Sequence, residues 1–218
     1  MRVKTYAKRA AILRAAAAEF GAKGLAGAAM TAVAARVGGS KATLYRYFSS
    51  KEELFVAVML GEVLDHAQAV FDELTPSADL RRMLERFGAR FLTLTLSAEA
   101  LAARRMSIAE GWRSGIGQKL FERGPRLVWT KMADFLAGEM DARRLRAADP
   151  WLAAMHLRGL LEADLVNRAL IGADIDARPS RLRRHAASAI DAFLRAYAFA
   201  PSSARATPPS TARVAPTT

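Results

Sequence analysis

Apolar residues recur every three or four positions through most of the chain, and no run rich in β-branched residues alternates apolar with polar. Helical spacing without strand spacing predicts an all-α fold. The first periodic segment, about residues 7–22, aligns Ile12, Leu13, Ala16, Ala17 and Phe20 and stops at "GAKG", where Gly21 and Gly24 suit a left-handed cap. A short helix over 30–37 follows, Gly38 and Gly39 interrupt it, and a third helix runs over 41–48 with Ser40 as N-cap. In "SSKEEL", Ser49 or Ser50 caps a fourth helix over 51–74, with Glu52 and Glu53 set against its dipole. Longer amphipathic segments are expected over 78–96, 98–112 and 125–146, the last opened by Gly124 and Pro125. "ADPW" opens another at Pro150 that runs to 171, and "RPSRL" opens the last, ending near 199. These make about nine helices. Residues 201–218, rich in Pro, Ser, Thr and Ala and without periodicity, read as a disordered tail.

Composition adds a core and a compartment. With 52% hydrophobic residues among 218, the chain can bury a substantial interior. It has no cysteine, which excludes disulfides and thiolate metal sites and fits a reducing, cytoplasmic setting. The basic start is interrupted by Arg14 and Glu19 and carries no secretory cleavage pattern, and the longest uncharged run is too short for a membrane span. His66, His156 and His185 are too scattered for metal-ligand spacing, so no metal and no cofactor is expected. No phosphate loop, HExxH or GxSxG occurs, which argues against an enzyme.

Charge then separates the two ends. Arg2, Lys4, Lys8, Arg9, Arg14, Lys23, Arg36, Lys41, Arg46 and Lys51 stand against the single acid Glu19, giving +9 of the chain's net +12. Such a field suits a polyanion, either nucleic acid or an anionic membrane surface. Three short helices with a glycine turn before the third form the layout of a helix-turn-helix over 1–48, ahead of a larger helical unit over 49–200. In the third helix Leu44 and Phe48 share the inner face, which turns Lys41, Ala42, Thr43, Tyr45, Arg46 and Tyr47 outward. Arg46 suits guanine, Thr43 suits a base edge or thymine methyl, and Ala42 permits close approach. Ser40, Tyr45, Tyr47 and Lys51 suit phosphates.

The stretch "TAVAARVGGSKATLYRYFSSKEELFVAVM" strongly resembles the N-terminal signature of the TetR family of bacterial transcriptional regulators, and "ILRAAAAEFGAKG" resembles that family's first helix. The resemblance implies a DNA-binding head on an all-α body that binds a small molecule and dimerises through its last two helices. The later segments, including "ERGPRLVWTKMADFLAGEMD" and "ADPWLAAMHLRGLLEADLVNRALIG", resemble the AefR-like branch. Two departures stand out: Ala29 occupies the usual Thr or Ser cap of the second helix, and Gly39 replaces an apolar residue in the turn, which should loosen it.

The expected protein is therefore a ligand-responsive regulator, a repressor by family habit, bound as a homodimer to a pseudo-palindromic duplex operator. Dimerisation is expected through 150–171 and 179–199, where Leu157, Leu160, Leu161, Ala169 and Leu170, and Leu182, Ala186, Ile190, Phe193 and Tyr197, recur at helical spacing. Phe87, Phe91, Met106, Trp112, Trp129 and Met155 are the candidate walls of a pocket for an apolar or amphipathic effector, with Met59 and Phe121 as further aromatic or sulfur surface. The rival reading is a basic membrane-surface module built on Lys4, Lys8, Arg9 and Arg14.

Overall fold

Short polar side chains mark where five of the helices begin. In the computed structural model, which describes residues 2–75 and 79–199 but not the side chains of 2–5 and 62–63, Ser40, Ser50, Asp79, Ser97 and Asp149 each accept a backbone N–H three residues ahead. The elements are α1 (Arg2–Gly27), α2 (Met30–Arg36), α3 (Lys41–Tyr45), α4 (Lys51–Phe71), α5 (Leu80–Thr95) and α6 (Ala98–Ser114). After them come α7 (Gly117–Arg123), α8 (Pro125–Asp141), α9 (Pro150–Glu162), α10 (Val166–Leu170) and α11 (Pro179–Tyr197). Among the described residues there is no strand, only an isolated bridge between Leu145 and Ala198. The tail expected over 201–218 lies outside the described residues.

Four boundaries differ from the sequence expectation. A helix, α7, occupies the gap left between 112 and 125: Gly115 turns α6 off at φ 71, and Gly111 and Gly117 then pack so closely that a Cβ at Gly111 would lie 3.2 Å from the Gly117 Cα. The helix expected over 150–171 breaks in two, because Asp164 takes a left-handed φ of 58 between α9 and α10, a conformation aspartate tolerates. Finally α8 stops at Asp141, where the buried Glu139 receives the Arg144 guanidinium through both carboxylate oxygens, at 2.5 and 2.7 Å. Helix α1 is also longer than its periodic part and breaks at Gly24, whose φ of 66 supplies the left-handed turn.

Two hydrophobic cores result. The head core gathers Ile12, Ala16 and Phe20 of α1, Val33 of α2, Leu44 and Phe48. It does not close at Phe48: Leu54, Phe55 and Met59 of α4, with Ile116 and Leu120, belong to the same buried cluster. The body core packs α5 against α11 and α9 around Leu84, Phe87, Leu157, Leu161, Ala186 and Phe193. Gly88 makes this approach possible, since a Cβ there would sit 2.8 Å from Leu161 Cδ2 and 3.2 Å from Ala186 Cβ. Helix α4 bridges the two cores, its halves Lys51–Gly61 and Leu64–Phe71 meeting at 48°.

The apolar residues that suggested an interface between copies are mostly internal. Leu157, Leu161, Ala169, Leu182, Ala186, Ile190, Phe193 and Tyr197 are all buried within the protomer. The outward stripes of the same helices carry Leu152, His156 and Gly159 on α9, continued by Ala163 just past its end, and Arg184, Ser188, Ala192 and Arg195 on α11.

Candidate functional site

The helix-turn-helix is set by backbone hydrogen bonds and one buried carboxylate. Gly38 has a φ of 60, and the Gly39 amide donates to Ala34 O at 3.0 Å, which anchors the turn despite the missing side chain. Ala29 caps α2 without any side-chain hydrogen bond. Its own amide instead helps to favour the charged form of Glu19, which is fully buried. Glu19 pairs with Lys23 at 2.7 Å and with Arg36 at 3.3 Å, so it joins α1 to both ends of α2. The Lys23 hydrogen bond first, and then the Ala29 amide and the Arg36 charge, outweigh burial and hold this carboxyl below its usual pKa.

On this frame α3 turns a polar face outward. Ser40 Oγ accepts the Thr43 amide and lies 3.1 Å from Thr43 Oγ1, and the helical hydrogen bonds continue past Tyr45 to Phe48. Leu44 and Phe48 are buried, while Ser40, Lys41, Ala42, Tyr45 and Arg46 are exposed and Thr43 is half-buried. The Lys41 amine stands over the Tyr45 ring, 5.7 Å from its centroid. Tyr47 differs from its neighbours: it is half-buried, packs on the head core and lines a cleft with Arg9, Phe48 and Glu53. Lys51 differs more, because its amine donates to Ala26 O at 3.1 Å and Ala28 O at 3.2 Å and so fastens the start of α4 to the end of α1. Lys8 is likewise held inside, donating to Val37 O at 2.6 Å, and Arg9 stacks on Phe48 at 5.4 Å.

The body holds a cavity of about 310 Å³ between α4, α5, α6, α7 and α8, with a few residues of α9. Of the six candidate walls, Phe91 and Trp129 line it. Phe87 lies behind them in the aromatic cluster, stacked on Phe91 at 6.0 Å. Met155 packs on the body core and Met106 on the head core. Trp112 is a correction: it is 89% exposed, because it falls on the outer stripe of α6 with Ala98, Ala102, Arg105 and Ala109. Met59 and Phe121 do line the cavity, together with Leu60, Leu120 and Val128.

Two polar groups were missed by the sequence reading. At the cavity wall, Glu162 accepts Arg104 through both oxygens, at 3.2 and 3.1 Å, and Arg158 Nε at 3.0 Å. Burial pushes the Glu162 carboxyl up, but the Arg104 hydrogen bond and then the two guanidinium charges prevail and leave it below its usual pKa. Arg158 and Glu162 are four apart on one helix, a pairing visible in the sequence, whereas Arg104 comes from a different helix with no local signal. The second group lies on α7: Lys119 at 3.2 Å and Arg123 at 2.5 Å clamp Glu53 in the first turn of α4. Helix α7 thus faces the cavity with Leu120 and Phe121 and holds the start of α4 with its cations.

Fold and site together define a transcriptional regulator with an N-terminal helix-turn-helix. Residues 12–58 match the family of bacterial regulatory proteins named for TetR, and residues 82–199 match the C-terminal domain of AefR-like transcriptional repressors. The second match spans more than half of the chain, which therefore belongs to the TetR family, in its AefR-like branch. A TetR-family regulator from Mesorhizobium loti is 29% identical, with a TM-score of 0.75, covering 88% of this chain and 98% of that one. The flavonoid-responsive regulator FrrA is 28% identical, with a TM-score of 0.74 over 88% of this chain and 97% of its own. The HTH-type transcriptional repressor SCO4008 of Streptomyces coelicolor is 41% identical over 64 residues, which span 29% of this chain and 33% of that repressor's length.

Proposed function

We propose that this regulator binds a pseudo-palindromic operator as a homodimer and releases it when a small apolar or amphipathic guest enters the body cavity. The observation that carries this reading is the double duty of α7, whose one side walls the cavity while the other grips Glu53 at the start of α4. Ser50, which caps α4 on the Glu53 amide, lies five residues after the end of α3. A guest that displaces α7 therefore pulls the α4 start, and with it the reading helix. The guest needs only to bind the displaced arrangement more tightly than the resting one.

In this reading Arg46 and Thr43 address bases, Lys41, Ala42 and Tyr45 flank them, Ser40 contacts phosphate, and Tyr47 and Lys51 chiefly hold the head together. Two heads reach half-sites about 34–36 Å apart, or a multiple of that. The outer stripes of α9 and α11 would meet a second copy, with Gly159, Ala163, Ser188 and Ala192 permitting close helix approach. The membrane-surface alternative loses ground because Lys8 and Arg9 are engaged within the head. The similarity to a flavonoid-responsive regulator makes planar phenols a first set of trial guests.

The test is selection of preferred duplexes from random DNA followed by fluorescence anisotropy. A palindromic site should be enriched, and Arg46→Ala should relax preference at one position per half-site. Failure to enrich any duplex would overturn the reading.

A further inference from the structure

The cavity wall is mostly apolar. Arg104, Arg158 and Glu162 are the charged residues that line it, and they sum to one net positive charge, with the hydroxyls of Thr95 and Ser107 also on the wall. Glu162 has little left to offer a guest, since Oε1 accepts from both arginines and Oε2 from Arg104. Arg158 differs. It gives Glu162 only its Nε, and among the described residues its two terminal nitrogens have no protein partner. Its guanidinium stands 5.7 Å from the centroid of Trp129, itself a cavity wall, with the side chain 22% exposed. A half-buried cation with a free planar fork, next to an aromatic ring in an apolar hollow, favours a carboxylate over a neutral or cationic head.

We propose that the effector is an amphipathic monoanion, with its hydrocarbon or aromatic body between Phe91, Trp129 and Leu120 and its carboxylate on the Arg158 fork. This rests on the reading of the cavity as the effector site. Glu162 has a definite part: it keeps the two arginines from repelling each other while the cavity is empty, and it limits the charge that the guest meets. Its removal therefore strengthens binding of an anion, an effect that loss of folding cannot mimic.

The experiment titrates the full chain by calorimetry with decanoate, decanol and decylamine, and follows operator release by anisotropy. Decanoate is expected to bind about tenfold or more tightly than decanol, the worth of one charge-assisted hydrogen bond. Arg158→Gln is expected to bring the decanoate-to-decanol ratio near one, and Glu162→Gln to raise decanoate affinity about tenfold. Equal binding of decanol, tighter binding of decylamine, or a decanoate affinity that Glu162→Gln leaves unchanged would overturn the anionic class while the effector cavity stands. If none of the three binds and no planar phenol releases operator DNA, both readings fall.

Discussion

The head and the body bury aromatic rings in the same edge-on manner, yet the head pair sits away from the hollow that the body rings border. In the head Phe20 meets Phe55 at 5.1 Å and 84°, enclosed by Ile12, Leu44 and Leu54, all essentially inaccessible. In the body Phe71 meets Phe87 at 4.9 Å and Trp129 at 5.2 Å, and Phe71, Phe91 and Trp129 all border the cavity. Ring geometry does not decide whether a core is closed. The surroundings of α4 decide: its first half packs on Ala16 and Phe20 of α1, whereas Leu64, Ala67 and Phe71 of its second half border the cavity. A reading platform gains from rigidity, and a sensor gains from room.

That contrast is best broken by truncation. Leu44→Ala should cost about 2–5 kcal/mol in urea unfolding, because Leu44 is fully buried and its neighbours relax only partly around the loss. At the cavity wall, Leu94→Ala should cost only about 1 kcal/mol, since that side chain is only partly buried and borders the cavity. Equal costs would erase the distinction between the cores.

The link between head and body is the next target. Glu53→Gln should leave operator affinity intact but cut guest-induced release about tenfold, read as the ratio of affinities without and with guest. The Arg123 hydrogen bond, then that of Lys119, holds the Glu53 carboxyl below its usual 4.5. A depressed folded-state pKa means this clamp is complete above pH 4.5 and is lost as pH falls through the folded value. Release by the unaltered protein should therefore approach that of the Gln variant only on the acid side of 4.5.

Smaller changes sharpen the head alone. Ala29→Ser supplies the missing cap of α2 and should stabilise by about 1 kcal/mol in thermal unfolding. Gly39→Ala should add about 0.5 kcal/mol, because a Cβ there meets Thr43 at an ordinary 3.7 Å. The neighbouring Gly38→Ala should instead cost about 1 kcal/mol, since its φ is positive. If both glycines respond alike, the turn is not held as described.

Legibility followed the range of the determining interaction. The cap at Ser40, the narrowing of the α4 cap to Ser49 or Ser50, and the division of α3 into buried Leu44 and Phe48 and an exposed face, are local and were readable. Helix α7 was not, because seven residues between glycines are too few to display a period. Trp112 misled because size alone favours burial, while its stripe on α6 points out. Lys51 was read from charge as a phosphate ligand, but the two carbonyls it serves lie some two dozen residues earlier. The Arg104–Glu162 pair is 58 residues apart, and no local pattern announces it.

Gly88 has a mechanical consequence. By letting α5 lie against Leu161 and Ala186 it packs α5, α9 and α11 into one block, the stator that the proposed release mechanism needs if α4 and α7 are to move. Amide hydrogens on the inner faces of α5 and α11 should then exchange with deuterium only through global unfolding, and those of α7 should exchange through local opening. In the proposed mechanism the slow set would mark the frame that a guest pushes against, and Gly88→Ala should loosen it.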